Sequence, residues 1–120
     1  MWSPNMNITV SQQGSTEVAV ITGDITHSVA GDLQEKLLAV LCSTDFLVLD
    51  FAGIGILTSA GLRMLLILYR EAKVNGKKLV LVAIPESVKD VMSVTGFLEQ
   101  FVVLNSVNEA IEQVSKSILL

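Results

Sequence analysis

Hydrophobic residues follow two recurring patterns along this chain. Short, continuous runs rich in Val, Ile and Leu are typical of strands buried in a sheet. Stretches in which apolar residues recur every three or four positions are typical of helices that bury one face. The apolar runs predict strands at residues 8–10, 18–21, 46–49, 79–84 and 101–104. Residues 13–15 are turn-like, which predicts a hairpin between the first two strands.

Four further segments show helical spacing. Their predicted inward-facing residues are Ala30, Leu33, Leu37, Val40 and Leu41, then Leu62, Leu65, Leu66, Tyr69 and Ala72, then Val88, Val91 and Met92, then Val107, Ala110, Ile111 and Val114. Thr58 or Ser59 is a suitable N-cap for the second helix, because a hydroxyl oxygen can accept a hydrogen bond from a free amide of the first turn.

Residues at the ends of these segments suit helix termini. Asn75 and Gly76 are expected to end the second helix, because Gly adopts the left-handed conformation readily. Lys77 then follows beside the negative end of that helix. Ser106 and Glu109 form a capping-box pair at the start of the last helix.

The order of the predicted elements indicates an α/β fold. Strand, helix and strand follow one another over residues 46–84, which predicts a right-handed crossover between parallel strands. We therefore expect a small mixed β-sheet of about four to five strands with about four helices packed on it. Residues 52–57 are interpreted as a loop and Gly23 as the end of the second strand. Residues 1–6 are interpreted as a flexible N-terminal arm and residues 7–120 as a single domain.

Composition and charge argue against several classes of function. The chain has 120 residues, 51% of them hydrophobic, and a net charge of −4. A protein that binds nucleic acid or an anionic membrane would carry a basic face, so we expect neither activity. Mean hydropathy is +0.61, but no run of about 20 mostly apolar residues is present, so we expect no membrane insertion. The absence of a signal-peptide pattern in residues 1–16 favours a cytoplasmic location.

Few residues with reactive side chains are available. The chain has one His, His27, and one Cys, Cys42. A His or Cys metal cluster would need more ligands, so no metal and no cofactor is expected. Cys42 follows an apolar stripe and is interpreted as a core residue, and His27 is interpreted as a surface histidine.

Residues 53–61 lie between a predicted strand and a predicted helix, where α/β proteins place ligand sites. The segment lacks the Lys of a phosphate-binding loop, and Thr58 stands where a dinucleotide fingerprint needs its third Gly. A nucleophile elbow at Ser59 lacks its first Gly, and the base should follow the Ser, whereas His27 precedes it. We therefore expect no enzyme, with a small hydrolase that uses Ser59 kept as an alternative.

Five short segments share their order and spacing with a known family. They are Thr-Gly-Asp-Ile at residues 22–25, Val-Leu-Asp-Phe-Ala-Gly at 48–53, Thr-Ser-Ala-Gly-Leu at 58–62, Asn-Gly-Lys-Lys-Leu-Val-Leu at 75–81 and Val-Thr-Gly-Phe at 94–97. Over residues 7–115 the chain resembles the STAS domain of bacterial anti-sigma factor antagonists. The third segment is similar to the family's central Asp-Ser-Ser/Ala-Gly-Leu motif.

This resemblance implies a phospho-regulated protein-binding module. In the family, an anti-sigma factor that is also a serine kinase phosphorylates the Ser that matches Ser59. A metal-dependent serine phosphatase removes the phosphate. The unphosphorylated antagonist binds the anti-sigma factor and so releases a sigma factor. The resemblance therefore implies these two partners and a phosphorylation site at Ser59.

The expected partner-binding residues surround Ser59. An exposed apolar loop of Ile54, Ile56 and Leu57 is expected to form a docking patch, which is also a candidate homodimer contact. Arg63 follows within a helical turn, where it can contact a phosphate on Ser59. The full set is Thr26, His27, Ile54, Gly55, Ile56, Leu57, Thr58, Ser59, Gly61 and Arg63.

Two positions depart from the family pattern. Thr58 stands where the family often has Asp, and Thr26 stands where it often has a second Asp. Three alternatives remain open: a different kinase acts on the protein, Thr58 is the phosphate acceptor, or phosphorylation is absent. In the last case the protein is a non-phosphorylated STAS scaffold or the cytosolic partner of a lipid or anion transporter.

Overall fold

A five-stranded sheet carries helices on both of its faces in this computed structural model, which describes residues 6–96 and 98–119. In chain order the elements are β1 (Met6–Gln13), β2 (Thr16–Ile25), α1 (His27–Cys42), β3 (Phe46–Leu57), α2 (Ser59–Val74), β4 (Lys78–Val82), α3 (Glu86–Val94), a 3₁₀ helix (Leu98–Gln100), β5 (Val102–Leu104) and α4 (Val107–Leu119). The strands lie in the order β1-β2-β3-β4-β5. β1 and β2 are antiparallel and the other neighbours are parallel. The predicted α/β class with a small mixed sheet is confirmed.

The larger of two cores lies between one face of the sheet and the helices α1, α2 and α3. Its fully buried side chains include Ile21, Leu33, Leu37, Leu49, Leu65 and Leu81. Burial of each such side chain contributes about 1.5–3 kcal/mol. On the opposite face, Val18, Val48 and Val82 form a smaller core that Ala110 of α4 covers. The helices that border the candidate site therefore all lie on the same side of the sheet.

β3 continues through residues 52–57, which the sequence pattern predicted to be a loop. These residues pair with β2 after two shifts of register, one past Val20 and one past Gly23. Each shift places one additional residue in β3, as in a β-bulge, and bulges bend a strand. β2 likewise continues past Gly23, which has a φ of 93°, to Ile25. The predicted loop and the predicted strand end at Gly23 are both wrong.

Gly53 and Gly55 let the bent part of β3 lie against β2. A Cβ added to Gly53 would lie 2.6 Å from Thr22 Cγ2, and one added to Gly55 would lie 2.6 Å from Asp24 Oδ1. A side chain at either position would therefore force these side-chain atoms of the neighbouring strand to shift. The two glycines are needed here because β2 lies close to β3, and not because the chain turns. The same residues therefore look like a loop in the sequence and form a strand in the structure.

The start of the described chain differs from the predicted arm. Met6, which was counted in that arm, is the first residue of β1 and is buried against the core. Residues 1–5 of the arm, and Phe97 of the family-like segment at residues 94–97, lie outside the described residues.

Two helices bury faces that differ from those predicted. In α2, Tyr69 is half-buried and packs against the larger core as predicted, but Leu66 is only half-buried. Met64 and Leu68 are buried instead, because this helix packs against α1 as well as against the sheet. In α3, Val91 was predicted to face inward but is 44% exposed, at the border of the helix's short buried face. Among the described residues, no helix combines the length and the apolar composition needed to cross a bilayer.

Lys77 joins the end of α1 to the start of β4. Its Nζ donates hydrogen bonds to the carbonyl oxygens of Leu41 at 2.6 Å, Cys42 at 3.2 Å and Thr44 at 2.9 Å. Carbonyls at the end of a helix lack intrahelical partners, so this ammonium group caps α1. The prediction placed Lys77 beside the end of α2, but the chain turns after α2 and carries the side chain to α1. Cys42, predicted to lie in the core, is exposed.

The substitution Lys77→Met is expected to lower the free energy of unfolding by roughly 2 kcal/mol, because the carbonyls lose a charged donor while an apolar stem remains. Urea unfolding followed by circular dichroism measures the change. Lys78→Met, at the exposed neighbouring position, is the matched control and should change stability by less than about 0.5 kcal/mol. Equal effects of the two substitutions would contradict the capping role.

Candidate functional site

The ends of β2 and β3 meet at the point where α1 and α2 begin. Thr26 is the N-cap residue of α1, and Thr58 is the N-cap residue of α2. The Thr58 backbone nitrogen donates to the carbonyl oxygen of Ile25 at 3.1 Å, and Thr58 Oγ1 donates to the same oxygen at 2.8 Å. Two helices thus start side by side at the carboxyl edge of a parallel sheet, the usual place for a binding site in this class of fold.

The Thr58 hydroxyl group has a structural role. It donates to Ile25 and accepts a hydrogen bond from the Gly61 backbone nitrogen at 3.4 Å, which caps α2. The prediction that Thr58 or Ser59 caps this helix is therefore confirmed for Thr58.

Ser59 is the first residue of α2, and its side chain is exposed. Its hydroxyl group takes part in none of the hydrogen bonds among the described residues. Gly61, two positions later, is buried, and a Cβ there would lie 2.6 Å from Leu57 Cδ1 and 2.9 Å from Ile25 Cγ2. This close packing holds the first turn of α2 against the strand ends and leaves Ser59 at the surface.

A cavity of about 330 Å³ lies between α1 and α2, beside Ser59. Its lining residues are His27, Ala30, Gly31, Gln34, Ser59, Ala60 and Arg63. The residues from α1 recur at helical spacing and so share one face, and Ser59 lies about one turn from Arg63 on α2. His27 and Arg63 are exposed, and no lining residue is acidic.

A second depression, a cleft of about 190 Å³, lies between the end of β3 and α3. It is lined by Gly55, Ile56, Leu57, Ser87, Val88 and Val91. Ile56 is 55% exposed, but Ile54 and Leu57 are buried. Residues three apart on a regular strand face opposite sides, and the second bulge instead turns both of these side chains inward. The predicted patch of three exposed apolar residues is wrong, and the candidate homodimer contact based on it keeps only Ile56.

The predicted site residues differ in accessibility. His27, Gly55, Ile56, Ser59 and Arg63 are exposed, Thr26 and Thr58 are half-buried, and Ile54, Leu57 and Gly61 are buried. Sequence reasoning missed four cavity residues, Ala30, Gly31, Gln34 and Ala60, although the helical spacing of the first three from His27 could have indicated them. It also missed Ser87, Val88 and Val91 as cleft residues, because α3 reaches the site only through tertiary packing.

The chemistry available in the cavity is that of an anion-binding surface. It contains a guanidinium, an imidazole, an amide and a hydroxyl group, and it lacks a carboxylate. Ser59 and His27 line the same cavity, but within the described part of the chain no hydrogen bond joins them, as an activated nucleophile and its base would require. Across residues 6–96 and 98–119, no three His, Cys, Asp or Glu side chains are grouped so as to hold a metal ion.

The substitution Thr58→Val is expected to lower the free energy of unfolding by about 1–2 kcal/mol, because it removes the cap and the bond to Ile25 at nearly constant shape. Ser59→Ala, one position later, is the matched control and should change stability by less than about 0.5 kcal/mol. Urea denaturation of both variants measures the difference. A larger loss for Ser59→Ala would contradict the assignment of the cap.

Comparison with known proteins places this geometry in a family. Residues 8–105 match the family model described as "Mlab, STAS domain". BtrV of Bordetella bronchiseptica, assigned as an anti-sigma factor antagonist, is 29% identical over 102 residues, which cover 84% of this chain and 88% of BtrV. An anti-sigma factor antagonist from Mycobacterium paratuberculosis has a TM-score of 0.84 at 21% identity, covering 96% of this chain and 99% of the other. The Bacillus cell fate determinant SpoIIAA in its phosphorylated form has a TM-score of 0.71 at 16% identity, covering 90% and 99%. The chain belongs to the STAS domain family.

Proposed function

We propose that this protein is an anti-sigma factor antagonist that is switched by phosphorylation of Ser59. The observation that carries the proposal is the contrast between two neighbouring hydroxyl groups. The Ser59 hydroxyl is exposed and makes none of the hydrogen bonds found among the described residues, whereas the Thr58 hydroxyl caps α2 and donates to Ile25. A kinase can therefore reach Ser59 directly, while phosphorylation of Thr58 would remove the cap.

The relatives support this class of function. BtrV is assigned as an anti-sigma factor antagonist, the Mycobacterium protein is described as one, and SpoIIAA has been solved in a phosphorylated form. The partner we propose is an anti-sigma factor that is also a serine kinase. It would bind the unphosphorylated protein and release a sigma factor, and a metal-dependent serine phosphatase would restore the binding-competent form.

A phosphate on Ser59 would change the charge of the surface next to the partner. It adds about −1.5 to −2 charges at neutral pH. Burying that charge beneath a partner is costly unless the partner supplies a cation. In the free protein the phosphate stays beside the first turn of α2, where free backbone amides favour an anion. Both effects favour the free phosphorylated protein over its complex with the partner, so phosphorylation is expected to switch binding off.

Ile56 and Val91 supply the apolar part of the proposed partner surface. They are 55% and 44% exposed, and both line the cleft between β3 and α3. Exposed large apolar side chains beside a cleft are typical anchors for a protein partner. The buried members of the predicted set, Ile54, Leu57 and Gly61, contribute by fixing the backbone beneath this surface. The remaining members at its border are Thr26, His27, Gly55 and Arg63.

The substitution Ser59→Asp is expected to weaken binding to the anti-sigma factor by at least about tenfold, or about 1.4 kcal/mol, because a carboxylate would be buried without a partner. Ser59→Ala is expected to bind irrespective of kinase and ATP. Isothermal titration calorimetry with the purified anti-sigma factor measures both. Wild-type affinity of Ser59→Asp, with circular dichroism showing an intact fold, would contradict the switch.

The substitution Ile56→Glu is expected to reduce partner affinity by at least about tenfold, because a charge would replace a buried apolar anchor. Val74→Glu is the matched control, since Val74 is 82% exposed and lies at the far end of α2, roughly 22 Å along the helix axis from Ser59. The same calorimetric titration compares the two. Equal losses would show that the effect is general and would remove the cleft from the proposed interface.

Mass spectrometry on protein purified from its native host tests the switch directly, with and without phosphatase inhibitors. One phosphate mapped to Ser59 is the expected result. One mapped to Thr58 would keep the switch but move its site. Unphosphorylated protein under every growth condition would overturn the switch and favour a non-phosphorylated scaffold or the partner of a transporter.

A further inference from the structure

Two basic side chains from different helices line the cavity beside Ser59. Arg63 is four residues after Ser59 on α2, so both side chains lie on one face of that helix. His27 and Gln34 line the same cavity from α1. A group attached to the Ser59 hydroxyl therefore has hydrogen-bond donors available from two helices.

No carboxylate lines this cavity to compete for these donors. Neither α1 nor α2 has an acidic residue in its first turn. Asp32 and Glu35 of α1 are exposed and do not line the cavity, and Asp24, at the end of β2, lies against Gly55. The charged or titratable side chains that line it are Arg63 and His27 alone.

We propose that this cavity is an intramolecular receptor for the phosphoryl group of Ser59. The Arg63 guanidinium, which matches the geometry of phosphate oxygens, binds it from α2, and His27 and Gln34 bind it from α1. The proposal rests on the proposed function only in taking Ser59 as the modified residue. It adds that the phosphate joins α1 to α2 and occupies the space between them, so that the switch changes the shape of this surface as well as its charge.

The test uses the 120-residue chain with phosphoserine inserted at position 59 during translation, so that no host kinase is needed. The pH titration of the ³¹P chemical shift is recorded for the folded protein and for the same protein unfolded in urea. A nearby cation favours the dianion, so the folded midpoint should be lower by roughly 0.5–1 pH unit. Arg63→Gln should abolish most of this difference. Arg70→Gln, at an exposed position of α2 outside the cavity, should preserve it.

A second readout follows the contact from α1. The chain has a single His, so its ring signals in the NMR spectrum belong to His27. These signals should differ between the serine and phosphoserine proteins, and the difference should shrink in Arg63→Gln as the phosphate is released from the cavity. Circular dichroism of each variant checks the fold.

Equal folded and unfolded midpoints, or equal midpoints in the wild type and Arg63→Gln, would overturn the receptor. Identical His27 signals in the serine and phosphoserine proteins would also overturn it. These outcomes are independent of whether a host kinase modifies Ser59. An absence of phosphate in the native host would instead overturn the proposed function and leave the binding chemistry of the cavity intact.

Discussion

The carbonyl oxygen of Ile25 accepts hydrogen bonds from both the backbone nitrogen and the hydroxyl group of Thr58, and the arrangement of the site follows from this contact. Ile25 ends β2 and Thr58 follows β3, so the two bonds fix how α1 and α2 begin relative to each other. The exposed Ser59 lies next to this junction. The cavity lies between the two helices that start there, and the cleft borders the end of β3.

This contact also gives a physical meaning to the departure from the family pattern at position 58. An ionised Asp can accept a hydrogen bond from the first turn of α2, but it has no proton to donate to Ile25. Thr58 does both. The exchange replaces a negative charge with a second link between the strand ends, and no carboxylate lines the cavity beside Ser59.

The sequence predicted those features whose causes are local. Apolar runs located the strands, and the Ser106 hydroxyl does accept from the Glu109 backbone nitrogen, at 3.1 Å, as a capping box predicts. The prediction of a loop at residues 52–57 was wrong because a Gly-x-Gly pattern is the same in a loop and in a strand that is crowded by its neighbour. The crowding atoms belong to Thr22 and Asp24, which are distant in sequence.

The candidate site also contains residues that local sequence patterns could predict and residues whose role depends on tertiary packing. Ser59 and Arg63 follow from a motif and from helical spacing, and the structure brings them to one cavity. The burial of Ile54 and Leu57 depends on a shift of register between two strands, which leaves no trace in the local pattern. The role of Val91 depends on how α3 packs beside β3, so the cleft could be found only from the folded chain.

The cap that Lys77 places on α1 has a consequence for the order in which the protein is made. Its three acceptors precede it by 33 to 36 residues in the chain. On the ribosome, α1 therefore emerges without this cap, and the ammonium group that supplies it arrives only after all of α2 has been synthesised. The cap on α1 therefore forms only in a chain long enough to contain α2 as well.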